Sequence, residues 1–182
     1  MEYDVVVVGG GPSGLATAIK FAQLKKQNGT YYSICLLEKG SEIGAHILSG
    51  NVFQPNALDE LIPNWKELNA PLNVPVTKDK IYYLLKDIGI PVPPFVMPNL
   101  NNHGNYVISL GNLCRWLGEQ AENLGVEVFP GFPASKLIFE NDEVVGVQTG
   151  DMGVSESGEL KPGHELGIEI KAKMTILGEG CR

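Results

Sequence analysis

Three glycines and one acid have the types and spacing for recognisable chemistry: Gly9, Gly11 and Gly14 in "YDVVVVGGGPSGLATAIKF", and Glu38 at the end of the next apolar run. The pattern is GxGxxG followed by an acid, and each position has a separable reason. Gly9 permits a tight turn, Gly11 lets backbone approach a pyrophosphate, and Gly14 allows a helix to touch its strand. A helix opening at Pro12 and Ser13 presents free N–H groups and partial positive charge to phosphates. Glu38 would accept hydrogen bonds from ribose hydroxyls and repel a 2′-phosphate, and Lys39 stands beside it. The site reads as a dinucleotide cradle, and these residues alone leave FAD and NAD both open.

Three elements must position these groups. Val5 to Val8 are four β-branched residues in a row without alternation, as in a strand buried on both faces of a parallel sheet. Pro12 suits the first turn of a helix, where its missing N–H would have been unpaired anyway. Leu15, Ala18, Ile19 and Ala22 recur at i, i+3, i+4 and i+7, giving one apolar face. Lys25 and Lys26 complement the helix dipole, and Asn28-Gly29 stops the helix. A second apolar run at residues 34–37 delivers Glu38 to its strand end.

Other chemistry is scarce. His46, His103 and His164 have no metal-ligand spacing and no partnered nucleophile. Cys35, Cys114 and Cys181 are far apart with no CxxC, and are expected to be reduced structural thiols. No catalytic residue and no metal ligand is assigned. A flavin would bring its own reactivity, leaving the protein to bind, orient and tune it. Arg115, on a predicted helix, is a candidate only for reaching a phosphate.

The composition sets bounds. The chain has 182 residues, 43% hydrophobic and 19% charged, which suits one globular domain with an excursion. The formal charge of −7, with no Lys and Arg run, excludes nucleic acid as the expected partner. No basic leader precedes the first strand, so export by signal peptide is not expected. No apolar run approaches the roughly 20 residues of a spanning helix. Any membrane contact is therefore expected from one side only.

One stretch conflicts with this ordinary picture. "IPVPPFVMPNL" carries four prolines among large apolar side chains. The prolines exclude an interior helix or a central strand, yet the stretch is too apolar for a solvated loop. If fully withdrawn from water, Ile90, Val92, Phe95, Val96 and Met97 would gain an upper bound of roughly 7 to 15 kcal/mol. Lys78, Lys80 and Lys86 are near enough to snorkel towards headgroups.

Further along, Ser109 is placed to cap a helix with Leu113, Leu117, Ala121 and Leu124 on one face, ended by Gly125. "VEVF" follows as a strand. Residues 136–140 and 144–149 read as a hairpin around Asn141-Asp142, residues 150–163 as a long solvated loop, and residues 166–171 as a third strand. Residues 174–177 then read as a separate strand resuming the main sheet and delivering Gly178 and Gly180 to the cofactor edge.

The segments "LLEKGSEIGAHILSG", "WKELNAPLNVPVTKDK", "NNHGNYVISLGNLCRWLGEQAENLGVEVFPGF" and "TGDMG...LGIEIKAKMTILGEGC" occur in an order that resembles the electron transfer flavoprotein-ubiquinone oxidoreductases. The geranylgeranyl reductase and FixC-like flavoproteins share the cofactor unit but match "HGNY...SLGNL" less well. The resemblance implies an α/β, Rossmann-like FAD-binding fold with a parallel sheet, an inserted β-meander at about 134–172 and an apolar excursion towards a quinone or membrane surface. It implies a βαβ unit at 1–45, an insertion at 46–104 whose residues 81–100 meet the membrane and quinone, and the rest of the FAD domain at 105–182. It implies FAD as cofactor, with Ser49, Gly50, Gly178 and Gly180 near it, and electron transfer flavoprotein and ubiquinone as partners. A peripheral place on the inner membrane is implied, bacterial or mitochondrial. A [4Fe-4S] cluster is expected on cysteines beyond Arg182, where the chain reads as truncated. Two other readings stand beside it: a FixC-like or geranylgeranyl-reductase-like oxidoreductase, and a nucleotide-binding fragment without activity.

Overall fold

The computed structural model describes residues 1–97, 100–154 and 159–180. Cys181, Pro98 and Asn99, and part of the 150–163 stretch, therefore lie outside the described residues. The chain runs β1 (Glu2–Val8), α1 (Pro12–Asn28), β2 (Ile34–Glu38), β3 (Ser49–Phe53), α2 (Asn56–Leu61), β4 (Val74–Pro75), β5 (Ile81–Leu84) and β6 (Gly89–Val92). A 3-10 turn at Pro94–Val96 follows, then β7 (Tyr106–Ser109), α3 (Leu110–Asn123) and β8 (Glu127–Pro130). The last strands are β9 (Ala134–Glu140), β10 (Glu143–Thr149), β11 (Met152–Val154), β12 (Leu160–Glu165) and β13 (Glu169–Leu177). Two compact units result: Met1–Ile47 with Cys114–Arg182, and Leu48–Leu113.

The first unit is built on a six-stranded sheet in the order β8-β2-β1-β13-β10-β9. β8, β2, β1 and β13 run parallel to one another, and β10 and β9 extend the sheet antiparallel beyond β13. The unalternating runs of β1 and β2 are buried throughout, with Val6, Val7, Cys35 and Leu36 fully enclosed. That is why they carry no polar face. α1 buries Gly14, Leu15, Ala18, Ile19 and Ala22, the face read from the sequence, and ends at Gly29 with φ 64°. Val6, Val8, Cys35, Leu37, Val147 and Ile170 share one core cluster, against which Phe129 and Phe132 pack. Withdrawing each such large side chain from water contributes about 1.5 to 3 kcal/mol.

Two expectations change here. The third meander strand and the resuming sheet strand are a single strand, β13. Its first residues pair antiparallel with β10, through Gln148↔Glu169, Val147↔Ile170 and Gly146↔Lys171, while its length pairs parallel with β1 from Glu2↔Lys171 to Val8↔Leu177. "EIKAKMTIL" contains no Gly, Pro or Asn to break it, so nothing separates the two roles. β10 can approach because Gly146, at φ 152°, has no Cβ; one there would stand 2.1 Å from the Ile170 carbonyl oxygen. The stretch at 150–163 also differs from a solvated loop, because β11 and β12 pair antiparallel at Met152↔Glu165 and Val154↔Leu160.

The second unit holds the antiparallel sheet β3-β7-β4 and the separate hairpin β5-β6. Its core includes Leu58, Ile62, Trp65, Leu72 and Ile108. Trp65 meets the Tyr106 ring edge-on at 5.9 Å between centroids and donates its indole N–H to Asp59 Oδ1 at 2.7 Å. The proline-rich stretch behaves as its prolines require. Pro91 lies opposite Tyr82 in a two-stranded hairpin, and a single 3-10 turn follows. Ser109 Oγ accepts the Asn112 N–H at 3.4 Å, as expected of a cap for α3, and Gly125 closes the far end at φ 84°.

Candidate dinucleotide site

At the end of β1 the chain turns through Gly9 at φ 106°, held by its N–H on the Leu37 carbonyl at 2.8 Å. A Cβ on Gly9 would sit 2.5 Å from the Gly178 carbonyl oxygen, and one on Gly14 would sit 1.9 Å from that of Gly9. The turn, the first turn of α1 and the end of β13 thus touch backbone to backbone. Gly178 N–H donates to the Val8 carbonyl at 2.7 Å, fixing the β13 end beside the turn.

Gly11 differs from its neighbours. It is the N-cap of α1, and a Cβ there would meet nothing within 4 Å. Its empty side faces open space, the property a backbone needs to receive a bulky anion. The first intrahelical bond runs from Leu15 N–H to the Gly11 carbonyl, no side chain caps the helix, and no acid lies in the first turn. The N–H groups of Ser13 and Gly14 therefore lack helical acceptors. With the helix dipole they suit a diphosphate.

Glu38 is at the end of β2 with both carboxylate oxygens engaged: Oε2 accepts the Gly10 N–H at 2.8 Å and Oε1 accepts the Gly40 N–H at 2.7 Å. Each oxygen has a second lone pair for a ribose hydroxyl. A Cβ on Gly10 would fall 2.6 Å from Ile43 Cδ1 and 2.8 Å from Glu38 Oε2. Gly10 and Gly40, whose amides hold the Glu38 carboxylate, are residues of the site that GxGxxG reasoning missed. Their signal was available as glycines flanking the turn and the acid, but the approach of Glu38 to Gly10 is tertiary, while Gly40 is met locally, two residues on.

These groups border a cleft of about 380 Å³ in the first unit. Gly9, Gly11, Pro12, Ser13, Glu38, Lys39, Gly178 and Gly180 line it, with Gly14 packed behind the turn. His46, Ile47, Phe132 and Pro133 form further wall, giving apolar surface for a flat base. The wall is tied to Glu38 by Phe132 N–H on the Glu38 carbonyl at 2.9 Å. Ser49 and Gly50 are not among the lining residues; they belong to β3 of the second unit. Arg115 pairs with Glu42 at 3.2 Å. His103 lines a cavity of the second unit, and His164 Nε2 is 3.8 Å from Asp151 Oδ2. Among the described residues no group of three His, Cys, Asp or Glu could hold a metal ion.

Residues 7–67 match the NAD(P)-binding Rossmann-like domain family. The whole chain is 55% identical to an electron transfer flavoprotein-ubiquinone oxidoreductase of Pseudomonas aeruginosa, covering 34% of that protein. The resemblance read from the sequence is borne out. Mitochondrial electron transfer flavoprotein-ubiquinone oxidoreductases of Arabidopsis thaliana and Bos taurus are 49% and 50% identical over 100% and 99% of the chain, which covers 28% and 29% of them. The chain thus spans about a third of the length of these relatives.

Solved structures agree on the fold. A geranylgeranyl bacteriochlorophyll reductase-like protein of Thermoplasma acidophilum superposes with TM-score 0.69 at 25% identity, over 98% of this chain and 39% of its own. A myxobacterial chondrochloren halogenase, a variant of the FAD-dependent halogenases, gives 0.67 at 18% identity, over 100% of this chain and 38% of its own. The fold is a Rossmann-type α/β fold of the kind found in FAD-dependent oxidoreductases.

Proposed function

We propose that this chain is the FAD-binding part of an oxidoreductase that accepts electrons from reduced electron transfer flavoprotein and passes them to ubiquinone. The observation that carries the reading is the identity of 55% along the whole chain to a protein of that name. The cleft chemistry independently supports dinucleotide binding. The Ser13 and Gly14 amides and the α1 dipole hold the diphosphate, the open side of Gly11 admits it, and Glu38 orients the ribose through hydroxyl hydrogen bonds. Gly178 and Gly180, which line the cleft, lie against the cofactor in this reading. The bound flavin supplies the redox chemistry; this chain's residues bind, orient and shield it. A [4Fe-4S] cluster on cysteines outside these residues belongs to the same reading. The fold alone is equally compatible with a geranylgeranyl-reductase-like activity, but identity to that neighbour is only 25%.

Residues 81–100 are proposed to dock the protein peripherally on the inner membrane. Tyr83, Leu84, Ile88 and Phe95 support this, being exposed by 64, 77, 65 and 82%. No helix among the described residues is long and apolar enough to cross a membrane.

Two assays test these proposals on the full-length protein. Reduced electron transfer flavoprotein should drive reduction of a short-chain ubiquinone with FAD present; an inert flavin under those conditions would reject the activity. In liposome flotation, Phe95→Asp with Val96→Asp should abolish binding. Equal flotation of the double variant and the wild type would show that this segment is no anchor.

A further inference from the structure

The second unit contains a cavity of about 570 Å³, within the range of sites for small ligands. Ile81, Tyr82, Val92 and Met97 give it an apolar wall, and Lys78 and Lys80 also line it. Asp79, between the two lysines, also lines the cavity, and its Oδ2 is held by Asn102, accepting the backbone N–H at 2.9 Å and the side-chain amide at 3.0 Å. Among the described residues neither lysine forms an ion pair. The local charge is opposite to that of the chain. Residues 74–104 hold Lys78, Lys80 and Lys86 against Asp79 and Asp87, a formal +1, whereas the chain carries −7.

An apolar cavity bearing two unpaired ammonium groups suits one class of molecule: a long hydrocarbon joined to an anion. A quinone offers carbonyl acceptors to the lysines but no charge to neutralise two ammonium groups, and a free phosphate gains nothing from the wall. We infer that this cavity binds one acyl chain of an anionic phospholipid, with Lys78 and Lys80 meeting its phosphate. The inference deepens the proposed membrane contact and rests on it for the source of the lipid. It turns a general apolar attachment into a preference for anionic bilayers.

The test uses the full-length protein in neutral detergent micelles, so that it does not depend on vesicle docking. Phosphatidylglycerol or phosphatidylcholine spin-labelled on the acyl chain is added, and the immobilised spectral component is measured. Phosphatidylcholine carries the same phosphate with a choline cation that offsets it, so phosphatidylglycerol, with its net negative charge, should bind more tightly, by up to about 25-fold at about fivefold per lysine. Lys78→Gln with Lys80→Gln, both at exposed positions, should remove the preference and leave the fold intact. Val92→Trp, or Met97→Trp if that protein fails to fold, should fill the cavity and remove the immobilised component for both lipids. Equal binding of the two lipids, no immobilised component in the wild type, or displacement of the label by a short-chain ubiquinone would each overturn the inference. Failure of flotation with this component intact would instead count against the docking segment.

Discussion

The carbonyl oxygen of Gly9 lies 1.9 Å from the point where a Cβ on Gly14 would stand. Backbone occupies that space and cannot swing aside as a side chain could. Gly14→Ala should therefore lose about 1 to 3 kcal/mol of stability in urea denaturation. Gly11→Ala is the contrasting variant, since its Cβ meets nothing within 4 Å. It should unfold within about 0.5 kcal/mol of the wild type yet bind FAD more weakly, as read by flavin fluorescence titration. Equal stability of the two variants would contradict the packing described for the turn.

Glu38 has a structural task as well as a proposed ligand contact. In Glu38→Gln one oxygen is replaced by an NH₂ group, which must face either the Gly10 or the Gly40 N–H. Hydrogen bonds to charged groups are worth about 1.5 to 3 kcal/mol, so stability and FAD affinity should both fall, the latter tenfold or more. A variant that loses affinity while keeping full stability would assign Glu38 to the ribose alone.

Asp4 provides a pH dependence. The hydrogen bond from Lys173, followed by those from Ser33, lowers its pKa from 3.8 to about 2. Its folded value lies below its unfolded value, so its contribution is fully present above pH 3.8 and is lost as the pH falls through about 2. The stability difference between wild type and Asp4→Asn should stay constant above about pH 5 and shrink between pH 4 and 2. Circular dichroism of thermal unfolding across that range measures it, and a difference independent of pH would exclude the pair.

Cys35 and Cys114 should be unreactive in the native protein. Burial, then the charge of Glu127 for Cys35 and of Glu38 for Cys114, pushes both thiols up to about 12. Thiolate is the nucleophile, so at pH 8 little is available. Peptide mass mapping after treatment with a thiol reagent should find Cys35 and Cys114 unlabelled in the folded protein and both labelled after unfolding. Prompt reaction in the folded state would show that the β2 or α3 packing opens readily.

Much of the cofactor half was legible because its constraints are local. Four valines in a row must be buried on both faces, a proline must open a helix, and glycines at positions 9, 11 and 14 have no side chains to offer. Residues 150–177 were less legible. "EIKAKMTIL" reads as two short strands because its polarity changes midway, and only its two partners make it one. Gly10 was missed because its importance lies in the approach of a carboxylate from another strand, and Gly40 because only the fold turns the Glu38 side chain back onto its N–H.

By itself, the sequence determined the strand-helix-strand order, the glycines of the turn, the acid that follows and the kinship of the whole chain, since these depend on residue type and near spacing. Tertiary structure alone decided that Glu38 holds two amides, that β13 serves both halves of the sheet, and that Lys78 and Lys80 share a cavity with apolar side chains. Those relationships depend on how the backbone turns, joining β13 to both β1 and β10 and Glu38 to Gly10 across the chain, and contact exists only once the backbone has closed around them.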